Sequence, residues 1–142
     1  MIVTATTLAF FAAFRNRQIL LVRHKEGVRE YDLPSWLFFK EPTEESLDLL
    51  MADYFEKPRV KHLVELDVAA LSAGGQPFCD YGLFACSLDH GAVSRFPDDL
   101  KDPKKPRVIV WSGRHPELFP GYKLSPRASA ALHLPYVQNR LA

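Results

Sequence analysis

Four consecutive apolar residues, Ile19-Leu20-Leu21-Val22, lie between the polar turn Arg15-Asn16-Arg17 and the basic pair Arg23-His24. A strand places successive side chains on opposite faces, so an unbroken apolar run of this length predicts burial on both sides of a sheet. The preceding stretch, Val3 to Phe14, is rich in β-branched and aromatic residues, with Thr on both faces, and reads as a first strand. It has no Lys or Arg before its apolar run and is too short to span a bilayer, so it reads neither as a signal peptide nor as a membrane segment. Together the two runs predict a hairpin, Val3 to Phe14 and Gln18 to His24, inside a sheet covered by helices.

The rest of the chain supplies those helices. Lys25 to Tyr31 is a charged loop. Asp32 to Phe39 is extended or turning, because Leu33 precedes Pro34 and is biased away from helix. Thr43 suits an N-cap, and Glu44 and Glu45 in the first turn complement the helix dipole. Leu47, Leu50, Met51 and Tyr54 then share one helical face with Phe55 beside it, and the helix is expected to stop near Lys57, before Pro58.

Val60 to Leu71 reads as a strand, with Val60, His62, Val64 and Leu66 on one face and Lys61, Leu63 and Glu65 on the other. Gly74-Gly75 marks a turn and Phe78 to Leu88 another strand. His90 to Pro106 reads as a long Pro-rich loop, and Arg107 to Trp111 as a short buried strand. His115 to Phe119 suits one helical turn. Ser125-Pro126 opens a last helix running to about Leu134, where Pro135 ends or kinks it and Tyr136 to Leu141 continue. Strands and helices are mixed without strict alternation. The expected fold class is α+β within the broad α/β group, a mixed sheet between helices, in a single domain spanning residues 1–142.

Composition narrows the function classes. The chain is 47% apolar and 25% charged, enough for a sizeable core. A net charge of +1 gives no overall electrostatic case for nucleic acid or an anionic membrane as partner. Cys79 and Cys86 match no common zinc spacing and fit a reduced, cytoplasmic protein with buried strand thiols.

The segment Leu20 to Glu56, with its buried strand ending in Arg23, its loop, its Leu33-Pro34 turn and its helix opened by Glu44 and Glu45, resembles the Nudix superfamily of MutT-like diphosphohydrolases. The order of elements extends the resemblance to most of the chain. It implies a mixed sheet sandwiched between helices. It also implies hydrolysis of nucleoside diphosphate derivatives, with Mg²⁺ held by helix carboxylates that converge through spacings of three and four residues.

The family's box places Arg and Glu at set positions of the helix, and this chain departs from it. With Pro34-Ser35-Trp36 on the family's Pro-Gly-Gly, Trp36 takes the box Gly, Pro42 the first Glu, Leu50 the Arg and Met51 the next Glu. Tyr54 and Phe55 take the Glu pair and Lys57 the closing Gly. Anchoring Glu45 on the first Glu instead puts Asp53 at the Arg, Tyr54 at the next Glu, and Lys57 and Pro58 at the Glu pair. Neither register retains the set, so the resemblance implies a degenerate box.

Three readings follow. The first is a non-catalytic Nudix-fold domain that binds a nucleotide-like small molecule or a protein partner. Its ligand residues would be Arg23, whose planar guanidinium suits phosphate and equally a strand-end ion pair, and Trp36 and Phe38, whose rings, like that of Phe39, could stack a base but more often fill a core. The second is a divergent hydrolase with a displaced Mg²⁺ site made from Glu41, Glu44, Glu45 and Asp48; a solvated acidic face explains the same residues. The third is an unrelated small mixed domain. Trp111 reads as core, and Lys101, Lys104, Lys105 and Arg107 as a solvated basic loop.

Overall fold

The computed structural model describes residues 7–23, 29–38, 41–66, 81–89, 93–94, 108–116, 118 and 121–142. Strands β1 (Thr7–Arg15) and β2 (Gln18–Arg23) form the expected hairpin, closed by Asn16 at a positive φ of 57°. Their direct pairing is confined to Phe14↔Ile19 and Arg15↔Gln18. Beyond that the strands part, and residues 32–38 enter the gap. Asp32 exchanges two backbone hydrogen bonds with Val22, the Phe11 N–H donates to the Pro34 carbonyl, and β4 (Ser35–Phe38) pairs antiparallel with Thr7 to Phe10. Pro34 fits here because a residue without an N–H can still accept.

Strand β7 (Tyr81–Leu88) runs parallel to β1 on its other edge. Strands β6 (Val60–Leu66) and β9 (Val108–Ser112) are antiparallel to β7 and β2, giving the order β6-β7-β1-β2-β9 with β4 also on β1. The sheet is therefore mixed, as the sequence predicts. Four two-residue strands pair outside this sheet. β3 (Glu30–Tyr31) pairs parallel with β10 (Lys123–Leu124), and β5 (Phe55–Glu56) pairs with β8 (Val93–Ser94).

Strand parity sorts the core into two layers. Ala9, Phe11, Ala13, Leu20, Val22, Phe84, Cys86 and Leu88 face helix α1 (Glu44–Met51), which contributes Leu47, Leu50 and Met51. Phe10, Ala12, Phe14, Ile19, Leu21, Leu83 and Ala85 face α2 (Pro126–Leu132) and α3 (Pro135–Leu141), which contribute Ala128, Ala131, Leu132, Val137 and Leu141. Both faces of β1 and β2 are thus dry, which explains the unbroken apolar run. The strand Gln18 to Arg23 is paired in a mixed sheet with a helix packed across it, the layout expected from the sequence.

Local signals were read correctly where they act locally. Thr43 caps α1 in a reciprocal box with Ser46, and Ser125 caps α2 with Pro126 in its first turn. Other expectations need correction. Helix α1 ends at Met51, not near Lys57. Asp53 and Tyr54 tighten to bonds with Leu50 and Met51 three residues back, and Phe55 leaves to pair with Ser94 inside the stretch read as loop.

The strict alternation read over residues 60–66 also fails. A register shift between Lys61 and Val64, with His62 at φ 56°, inserts one residue against β7. Val60 and Leu63 therefore both pack toward α1, Leu66 reaches the other layer, and Val64 is exposed. His115 lies in a bend and not in a helical turn. Gly74-Gly75 and Cys79 lie outside the described residues.

Candidate functional site: an apolar groove between β4 and α1

Strand β4 presents Trp36 and Phe38 on one face, two residues apart. Helix α1 and the turn after it present Ser46, Leu49, Leu50 and Asp53, whose spacings of three and four residues make one helical stripe. These six residues line a groove of about 230 Å³. Phe38 forms its floor and packs edge-on against Phe11 at 5.8 Å and 79°. Trp36 is 57% exposed and Leu49 78% exposed, so two large apolar side chains stand in water across the groove.

The groove's polar groups are few. The Ser46 hydroxyl accepts from the Thr43 N–H at 2.8 Å and donates to the Thr43 carbonyl at 2.9 Å, so helix capping occupies it. Among the described residues, Asp53 is the one ionisable residue of the lining. The arrangement can receive an apolar or flat aromatic group and offers an anion, not a cation, at its rim.

The ligand residues expected from sequence divide between the two sides of the sheet. Trp36 and Phe38 come together in the groove. Arg23 does not join them. It shares parity with Ile19 and Leu21, is buried on the side of α2 and α3, and places its guanidinium over the Tyr122 ring at 5.5 Å. His24, Phe39, Lys101, Lys104, Lys105 and Arg107 lie outside the described residues. Trp111 packs against the α1-side core as expected, 5.9 Å from Phe55, with the Arg15 guanidinium 4.5 Å over its ring. Burial at this position lowers the Arg15 pKa from its ordinary value.

The acidic residues proposed for a displaced Mg²⁺ site do not converge. Glu41, Glu44 and Glu45 are exposed. Among the described residues no group of three or more His, Cys, Asp or Glu side chains could hold a metal ion. Two of the acids have other partners. Asp48 Oδ1 accepts the Val60 N–H at 2.6 Å, and Glu44 Oε2 accepts the Leu63 N–H at 3.4 Å. Both satisfy donors of β6, which lies at one end of the sheet order. The positions that the first box register assigns to Arg and Glu are apolar or aromatic and buried, with Leu50, Met51, Tyr54 and Phe55 at most 7% exposed.

Sequence reasoning missed Leu49. Its signal was available, a Leu lying off the Leu47/Leu50/Met51 core face of an amphipathic helix. It also missed a clasp on the other side of the sheet. Asp32 accepts from the Ser125 hydroxyl at 2.7 Å and pairs with Arg127 at 2.9 Å, and Arg127 lies 4.6 Å over the Phe10 ring. Partners more than ninety residues apart carry no local sequence signature.

No protein-family model matches the chain, and no curated protein matches it. Solved structures do. The chain is similar to an ADP-ribose pyrophosphatase from Streptococcus suis 89-1591, at 17% identity and a TM-score of 0.51 over 91% of this chain and 90% of that one. It is similar to a UDP-X diphosphatase, at 14% identity and a TM-score of 0.57 over 99% of this chain and 63% of that one. It is also similar to a candidate oxidoreductase from Sinorhizobium meliloti 1021, at 10% identity and a TM-score of 0.59 over 97% of this chain and 41% of that one. The chain therefore spans less than two thirds of the length of two of the three. At these identities the likeness concerns the fold, and the fold is Nudix-like, a mixed sheet between helices.

Proposed function

We propose that this chain is a Nudix-fold interaction module that does not hydrolyse nucleoside diphosphate derivatives, and that it takes its partner in the groove between β4 and α1. The observation that carries the reading is the burial of Leu50, Met51, Tyr54 and Phe55. Diphosphate hydrolysis on this fold needs converging carboxylates to hold metal and phosphate. Here the corresponding stretch of chain is packed into the core, where each large side chain contributes about 1.5–3 kcal/mol. The displaced site gains no support either, since Glu44 and Asp48 bind backbone N–H groups of β6.

The groove supports a binding role in its place. Exposed Trp36 and Leu49 flank an apolar floor, a composition typical of anchor sites on protein surfaces. A nucleotide-like ligand is the second reading. The exposed Trp36 ring favours it as a stacking platform, and the names of the two diphosphate-cleaving structural relatives are consistent with it. The protein partner is preferred, because the described lining offers Asp53 and no cation to a phosphate, while Arg23 sits across the sheet. Among the described residues no helix is long and apolar enough to cross a membrane. A cytoplasmic location belongs to the same proposal, supported by the buried free thiol of Cys86.

The test is phosphate and pyrophosphate release from a panel including ADP-ribose and UDP-sugars, with Mg²⁺ or Mn²⁺ and an EDTA control. No metal-dependent release is expected from the folded protein. Turnover that EDTA abolishes would overturn the non-hydrolytic reading.

A further inference from the structure

The groove has a charge pattern as well as an apolar floor. Leu49 lies at the middle of its exposed side, with Glu45 one helical turn before it and Asp53 one turn after. Both acids are exposed, Glu45 on the helix and Asp53 in the turn that follows it. Glu41 and Glu44, also exposed, extend the acidic side beyond the first turn, and α1 carries no basic residue in its last turn. Among the described residues, none that lines the groove is basic. Trp36 walls the opposite side.

We infer that the partner is a protein segment with an apolar side chain flanked by Lys or Arg. This inference rests on the interaction-module reading and specifies its partner. The apolar side chain enters between Trp36 and Leu49 onto Phe38 and Leu50, and the flanking cations lie against Glu45 and Asp53. Desolvating the apolar anchor supplies most of the affinity. The two acids supply orientation and discrimination against acidic segments, because a like charge on the rim is repelled where a cation is attracted. The same rim disfavours nucleotides and acidic peptides.

The experiment selects random dodecapeptides displayed on phage against the full chain. Enriched sequences are synthesised, labelled and titrated by fluorescence anisotropy. Enrichment of Leu, Ile, Met or Phe with Lys or Arg on both sides is expected. Affinity should fall by about tenfold or more in Trp36→Ala, and by about tenfold in the double variant Glu45→Lys/Asp53→Lys, which removes two attractions and adds two repulsions. It should weaken as salt rises from 50 to 500 mM on the unaltered protein, a readout that needs no variant. All three substituted residues are exposed, and circular dichroism checks that each variant folds.

Peptides that depend on Trp36 but are neutral or acidic, or that ignore the charge reversal and salt, would overturn the cationic partner and leave the interaction module standing. Binding indifferent to Trp36→Ala, or no enrichment at all, would overturn both. A self-association that Trp36→Ala abolishes would make a second copy the occupant and overturn the cationic segment.

Discussion

The carboxylate of Asp48, in the middle of α1, accepts the backbone N–H of Val60, the first residue of β6, at 2.6 Å. The bond joins the helix to a strand at one end of the sheet order, and both groups are partly shielded from water. Asp48→Ala should therefore cost about 1.5–3 kcal/mol, the usual range for a hydrogen bond to a charged group. Asp48→Asn, which keeps an oxygen acceptor, should cost less. Glu44→Gln should be close to neutral, since Glu44 is exposed and its bond to Leu63 is 3.4 Å long. Urea unfolding measures all three, and an Asp48→Ala midpoint equal to the parent's would contradict the tether.

Putting a carboxylate at a box position should damage the fold rather than create a metal site. Met51 and Phe55 are fully buried beneath the helix. Met51→Glu or Phe55→Glu would bury an unpaired charge at a cost of several kcal/mol, a large part of the stability of a domain this size. The expected result is a largely unfolded protein by circular dichroism, with no Mg²⁺-dependent turnover. A folded, stable Met51→Glu protein would mean that this helix face reaches solvent.

Trp36 separates binding from folding. Its ring is more than half exposed, so Trp36→Ala should lower stability by under about 1 kcal/mol. Phe11→Ala, beneath the same groove and fully buried, should cost about 3–5 kcal/mol. Equal losses in thermal or urea unfolding would show that Trp36 belongs to the core and not to a surface site.

What the sequence disclosed and what it hid divide along a physical line. Ile19 to Val22 announced a sheet buried on both faces, because strand parity leaves no other place for four adjacent apolar side chains. Thr43 and Ser125 announced helix starts, because an N-cap bonds within its own first turn. The end of α1 was hidden, since Phe55 leaves the helix to pair with Ser94, far along the chain. The phase of β6 was hidden too. A bulge at His62, a residue without glycine's freedom at positive φ, leaves no mark on the pattern. The groove was half legible. Trp36 and Phe38 stood out as aromatics, Leu49 did not, and Arg23 was assigned to them only because its parity could not be matched to a face without knowing which side α1 covers.

The clasp around Ser125 gives a prediction on the other side of the sheet. Its buried hydroxyl accepts the Ala128 N–H at 3.0 Å as the cap of α2 and donates to Asp32 at 2.7 Å. Ser125→Ala removes both bonds at once. The loss should be about 1–3 kcal/mol, at or above the usual cost of a missing cap. Arg127→Ala should cost less, because its ion pair with Asp32 is more exposed. Chemical unfolding orders the two, and the reverse order would make the ion pair, not the cap, the main element of the clasp.

Cys86 links stability to pH. Burial pushes its thiol up to about 12, with the Glu44 and Asp48 carboxylates adding to the rise and Arg140 opposing it. An unfolded cysteine loses its proton near pH 8.5. Above that pH the unfolded chain binds fewer protons than the folded one, so this group's contribution is intact at neutral pH and is lost as pH rises toward 12. By pH 10 the loss should be about 1–2 kcal/mol. Cys86→Ala removes this dependence, so urea midpoints at pH 7, 9 and 10 should show the parent losing its advantage over the variant as pH rises. The native thiol should also stay unreactive toward a thiol reagent until urea exposes it. A constant gap between parent and variant, or rapid labelling of Cys86 in the folded protein, would show that the thiol is not sealed between α1 and the sheet.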